Sequence, residues 1–226
     1  MSDLEEVLGH RFQDGQLLER ALTHASTGQE GSSRDASNER LEFLGDAVLD
    51  LLIADELFTA HPDWREGQLT WTRAALVNTR ELAGRARELD LGAHLHLGKS
   101  ERQGRGALKE TILANAFEAV IGAIYLDAGL EPVRALVRRL FADALDPDAP
   151  PPPRDAKMLF QEWAHRAHQT TPTWRVLSDS GDDGDPERFV AIACLGDEEV
   201  GRGAGRTKRA AEREAALAAL AAVGDE

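Results

Sequence analysis

Apolar residues recur at helical spacing through nearly all of residues 1–145. Asp14 is placed to cap a helix through "GQLLERALTH". A long helical pattern runs from about residue 36 to 59 and stops before Pro62. "EGQLTWTRAALVN" and "TRELAGRAREL" keep the helical period, whereas "GKSERQGRGALK" reads as a Gly-rich loop. A further long helix is expected over about residues 109–127, and Pro132 suits the first turn of the next. The pattern then breaks at "DPDAPPPPRDA", where Pro150 to Pro153 exclude a helix and form a semi-rigid spacer. Beyond it the period changes. "AKMLFQEWAHRAH" is helical, and "TPTWRVLSDS", "ERFVAIACLG" and "EEVGRGAG" are strand-like between "GDDGDP" and "GD" turns. "TKRAAEREAALAALAAV" is an Ala-rich helix with Thr207 as N-cap. The expectation is an all-α domain over 1–146, a linker over 147–154, and a small α+β module of order α-β-β-β-α over 155–226. In that module two helices pack on one face of an antiparallel sheet.

Composition alters this picture little. With 42% hydrophobic and 29% charged residues the chain is an ordinary globular one. A net charge of −14 speaks against nucleic acid as a partner of the chain as a whole. The distribution speaks otherwise: Arg202, Arg206, Lys208, Arg209 and Arg213 face one acid, Glu212, within residues 201–213. Phosphate contacts are local, so such a patch outweighs the total. The single cysteine, Cys194, allows no disulfide and no Cys-based zinc site within one chain. The acidic start "MSDLEEVLGH" is unlike a signal peptide, and no apolar run is read as approaching a membrane span. A cytoplasmic protein with no membrane partner is the expectation.

The long first helix carries an anomaly. In "NERLEFLGDAVLD" (residues 38–50), Glu39, Glu42 and Asp46 share a ~60° arc, while Leu41, Leu44, Val48 and Leu52 form a separate core face. Such a stripe describes either a solvated surface or an oxygen-rich cluster for a hard cation, Mg²⁺ or Mn²⁺. The second long helix, "ETILANAFEAVIGAIYLDAG", is apolar almost throughout but sets Asn115 and Glu118 three residues apart. Polar groups there need partners. Packing the two helices together would pool Glu39, Glu42, Asp46, Asn115 and Glu118 around metal.

"NERLEFLGDAVLD" is very similar to the signature of ribonuclease III, the double-stranded-RNA endonuclease, and the resemblance continues through "ALTHAS", "EGQLTWTRAALVN", "ETILANAFEAVIGAIYLD" and the C-terminal module. It implies a helical endonuclease domain followed by a double-stranded-RNA-binding domain. It also implies Glu42, Asn115 and Glu118 as metal ligands, Asp46 and Glu118 as catalytic acids, and Glu39 and Glu66 as supporting acids. The cofactor implied is Mg²⁺, with Mn²⁺ able to substitute. The products would be 5′-phosphate and 3′-hydroxyl ends, made by a homodimer in which Phe43 inserts into the partner, in processing of ribosomal RNA precursors, messenger RNA and transfer RNA. Many family members have Asp where this chain has Asn115, which keeps an oxygen donor and removes a charge. A non-catalytic duplex-binding dimer is the alternative.

In the C-terminal module the resemblance places Gln161 and Glu162 in a minor groove, and Arg206, Thr207, Lys208 and Arg209 on phosphates. A helix N-terminus with basic residues attracts phosphate. The family's Gly-Pro-x-His loop is replaced here by "GDDGDPERF", whose Asp182, Asp183 and Asp185 are expected to face the anionic partner and weaken binding. "AHLHLGKS" lacks the glycines and the preceding strand of a phosphate-binding loop, so no nucleotide cofactor is expected. His94 and His96 lack a third zinc ligand. His24 is assigned to packing or hydrogen bonding.

Overall fold

The computed structural model describes residues 3–30, 37–152 and 154–223. These fall into two units, Met1–Pro152 and Pro153–Glu226. The first is built from α1 (Asp3–Leu8), α2 (Gly15–Ala21), α3 (Glu39–Ala60), α4 (Glu66–Leu76), α5 (Thr79–Glu88), α6 (Leu91–His94), α7 (Lys99–Gln103), α8 (Glu110–Ala128) and α9 (Leu130–Leu140). Helix α8 is its axis. Ile112, Leu113, Ala114, Ala116, Phe117 and every residue from Ala119 to Ile124 are buried, against α3, α5, α2 and α9. A helix enclosed on all sides has to be apolar all round. That corrects the reading that no segment approaches a membrane span. By length and composition α8 would qualify. Here its burial is inside the protein.

Two glycines set how closely α3 and α8 approach. A Cβ on Gly45 would lie 1.7 Å from the Glu118 carbonyl oxygen, and one on Gly122 would lie 2.3 Å from that of Leu41. The backbones therefore touch directly. Because four residues forward on α3 correspond to four residues back on α8, the helices run antiparallel at the crossing.

Three local readings need correction or detail. The helix expected through His24 ends at Ala21, because the next residues pair with another segment. Thr23 bridges His96, with His24 N donating to His96 O at 3.0 Å and His96 N to Leu22 O at 2.8 Å. The expected loop "GKSERQGRGALK" contains α7 and a 3₁₀ turn, Gly106–Leu108, joined through Arg105 in the left-handed region and tied by the Lys109–Glu101 ion pair at 2.7 Å. Its short helical turns carry no apolar periodicity to betray them. Asp14 caps α2, accepting from Gln16 N at 2.9 Å. The end of α8 is pinned to this cap: Asp127 accepts from His10 Nε2, Gln13 N and Asp14 N at 2.8–3.0 Å.

The second unit runs α10 (Ala156–His168), β1 (Thr173–Asp179), β2 (Phe189–Leu195), β3 (Glu198–Gly205) and α11 (Lys208–Val223). The sheet is antiparallel in the order β1-β2-β3, with Phe189 opposite Gly205 and Asp179 opposite Phe189. Both helices share one face of it, where Phe160 and Ala193 meet Ala215, Ala216 and Ala219. Gly201, Gly203 and Gly205 alternate along β3 and so share that face. A Cβ on Gly203 would sit 2.2 Å from Ala215 N, and one on Gly201 would sit 2.3 Å from Ala215 O. Small residues on both elements let α11 lie directly on the strand.

Candidate active site and nucleic-acid interface

Along the whole stretch from Ile112 to Ile124, Asn115 and Glu118 are the only positions not fully buried. They open toward the acidic stripe of α3. Glu42 is half-buried there, and Asn115 forms a side-chain hydrogen bond with it. Asp46 is exposed at the rim. Glu39 is exposed at the first turn of α3 and accepts from Ser37 Oγ at 3.1 Å.

These carboxylates lie close enough to act on one another's charge. Burial pushes the Glu118 carboxyl up to about 7, helped by repulsion from Asp46, Glu42 and Asp50. Burial also raises Glu42, with Glu39 and Asp46 adding repulsion and the Asn115 hydrogen bond opposing them. The donors are all oxygen, as hard cations require. The carboxylates do not form a closed ligand set, and among the described residues no three His, Cys, Asp or Glu side chains converge tightly enough to hold an ion. Glu42 is engaged instead by the Asn115 amide.

Sequence reasoning did not single out Asp50. It stands four residues after Asp46 in the same motif, and that i+4 spacing was the available signal. Glu66 is not brought into this group. It is exposed, accepts from Thr70 Oγ1 at 2.9 Å, and lines an apolar pocket of about 400 Å³ with Leu57, Phe58, Trp64, Leu69 and Arg73. Phe43 is 80% exposed on α3. Leu51 and Phe58 follow it on the same face of α3, also exposed. His24 is structural: its Nδ1 meets Ser26 Oγ at 2.9 Å, and the same oxygen accepts from Gly98 N at 2.9 Å.

In the second unit, Gln161 and Glu162 are exposed on α10 and line an open hollow with Met158, His165 and Arg166. Glu162 pairs with Arg154 at 2.9 Å. Arg206, Thr207, Lys208 and Arg209 are all exposed at the start of α11. Thr207 Oγ1 accepts from Ala210 N at 3.1 Å, so the cap fixes the direction in which the basic side chains leave the helix. The carboxylates of the acidic loop are held by local partners. Asp183 ion-pairs with Arg188, Asp182 accepts from Gly184 N at 2.8 Å, and Asp185 accepts from Glu187 N and Ser180 Oγ, each at 2.8 Å. The loop satisfies its carboxylates internally, as Asx turns do.

The "Ribonuclease-III-like" family model matches residues 14–145, and the "Double-stranded RNA binding motif" model matches residues 156–223. The chain is similar to the Ribonuclease 3 of Nitratiruptor sp., 42% identical over 221 residues, covering 97% of this chain and 95% of that one. It is likewise similar to the Ribonuclease 3 of Heliobacterium modesticaldum, 43% identical over 220 residues, with 97% and 93% covered. Among solved structures it resembles the nuclease domain of ribonuclease III from Campylobacter jejuni, with a TM-score of 0.58 and 43% identity, covering 62% of this chain and 94% of that domain. That structure is described in terms of a region involved in dimer formation. On this evidence the chain belongs to the ribonuclease III family of endoribonucleases, and it carries a double-stranded RNA binding motif after its nuclease domain.

Proposed function

We propose that the chain hydrolyses double-stranded RNA with the help of a divalent cation, leaving 5′-phosphate and 3′-hydroxyl ends. Residues 1–146 would form the nuclease domain, 147–154 the linker and 155–226 the domain that holds the duplex. One observation carries the reading: Glu42, Asp46 and Glu118 stand within repulsive range of one another beside Asn115, at the opening of a buried helix pair. Protein folding alone gives no reason to keep such repulsion, whereas a cation relieves it. Mg²⁺ is the proposed ion, with Mn²⁺ able to replace it. Glu42 and Glu118 would hold it through carboxylate oxygens. Asn115 would do so through its carbonyl oxygen, once its amide turns from Glu42. When bound, the ion supplies positive charge against the phosphate transition state and acidifies water. Asp46, exposed at the rim, orients the attacking water through a carboxylate oxygen, and Glu118 steadies the same group from α8. Glu39 and Glu66 add negative charge further out. The substrates proposed are structured cytoplasmic precursors of ribosomal, messenger and transfer RNA.

The test is incubation of the full chain with a perfect RNA duplex in Mg²⁺ and, separately, in Mn²⁺, with analysis of the ends. Short fragments carrying 5′-phosphates are expected, and EDTA should abolish them. Binding with no cleavage in either ion would favour a non-catalytic duplex-binding dimer, the reading that the neutral Asn115 speaks for.

The apolar stripe of Phe43, Leu51 and Phe58 on α3 supports a homodimer, because a soluble chain rarely leaves such a face uncovered. Phe43→Glu should weaken self-association by about 100-fold or more, read by light scattering across a dilution series. On the duplex side, Gln161 and Glu162 are proposed for the minor groove and Arg206, Thr207, Lys208 and Arg209 for phosphates. Lys208→Ala and Arg209→Ala should each weaken duplex binding irrespective of sequence. Each should also flatten the log–log salt dependence by about one phosphate contact.

A further inference from the structure

We infer that Asp50 is a further member of the carboxylate cluster, and that its charge sets the cluster's affinity for a divalent cation where Asn115 contributes none. The inference rests on the cation-dependent reading above. Asp50 follows Asp46 by four residues and Glu42 by eight, so it continues the acidic stripe of α3. The next position on that stripe, Ile53, is fully buried, which puts Asp50 at the closed end of the cluster. The antiparallel crossing at Gly45 and Glu118 carries α3 from there toward the turn of α8 that bears Asn115.

Its partners, or their lack, are the telling feature. Asp50 Oδ1 is buried with no hydrogen-bond partner among the described residues. Asp50 as a whole is half-buried; Asp127, whose side chain is almost wholly buried in the same domain, is met by His10, Gln13 and Asp14. A buried carboxylate oxygen left unsatisfied is costly, and a nearby cation would relieve that cost. Asp50 also counts among the groups that repel Glu118. An ion held by Glu42, Asn115 and Glu118 would meet two formal charges, and Asp50 with Asp46 brings the surrounding charge to four. Asp50 acts on such an ion through the field, as a positioning residue, and touches no substrate.

The full-length chain, without RNA, is titrated with Mn²⁺, and free Mn²⁺ is followed by electron paramagnetic resonance. Asp50→Asn, which preserves shape, should weaken Mn²⁺ binding about tenfold and raise the metal-free melting temperature, because it removes repulsion. Adding Asn115→Asp to Asp50→Asn should restore most of the affinity. A merely structural Asp50 would show the reverse signature, a lower melting temperature with Mn²⁺ affinity unchanged in the folded protein, and that result overturns the inference. So does loss of affinity that Asn115→Asp fails to restore. If the unaltered chain binds no Mn²⁺, the cation-dependent reading itself fails, and this inference falls with it.

Discussion

Glu118→Gln is expected to lower duplex cleavage by about 10³-fold or more while making the metal-free protein more stable at pH 8. The two effects have one cause. The Glu118 carboxyl titrates near 7 in the folded chain, against 4.5 ordinarily, because burial and then Asp46, Glu42 and Asp50 disfavour its charge. A group whose pKa is raised by folding adds stability in full below its unfolded pKa. That stability is lost as pH rises through the folded value. In EDTA the protein should therefore lose stability between about pH 4.5 and 7, and the Gln variant should not show this part of the loss. At about 1.4 kcal/mol per pKa unit the penalty is bounded at about 3.5 kcal/mol. Water reaching the half-exposed side chain reduces it to about 1–2 kcal/mol. Chemical denaturation at pH 5 and pH 8 measures this directly, and cleavage assays give the other half. Equal pH dependence in both proteins would show that Glu118 bears no such charge cost.

Gly45→Ala is expected to destabilise the nuclease domain by about 3–5 kcal/mol. The added methyl would fall 1.7 Å from the Glu118 carbonyl oxygen and 2.9 Å from Gly122 N. Both are main-chain atoms, so no rotamer change makes room, and α3 must move off α8. That separates the two halves of the carboxylate cluster, so activity should fall beyond what lost stability explains. Gly84→Ala is the contrasting case. Gly84 lies inside α5 with nothing within 4 Å of the added carbon, so the change should be neutral or stabilising by about 0.5–1 kcal/mol. Urea midpoints for the pair separate helix propensity from close approach. A Gly45→Ala chain as stable as the original would refute direct backbone contact at this crossing.

The helical reading of residues 1–145 rested on long apolar periods, and α3, α8 and α9 follow those periods closely. Where the period was short or absent the reading failed. The turns of α7 carry charged and glycine residues with no apolar repeat, and the end of α2 was decided by pairing between Thr23 and His96. Loop electrostatics were equally hidden. The acids of 182–185 looked open from their spelling, and only folding brings Arg188 and local N–H groups to them.

Sequence alone determined which helix faces were acidic and which were core, because a helix's angular geometry follows from residue number. It determined the family as well, through a long motif whose residue types are bound to one chemistry. Tertiary structure decided which acids belong together. Asp50 joined the group and Glu66 did not, because membership depends on where α3 crosses α8. That crossing depends on two glycines far apart in the chain, whose missing side chains let the backbones meet. Distance between helices is a property of packing, and no spacing along one strand of sequence encodes it.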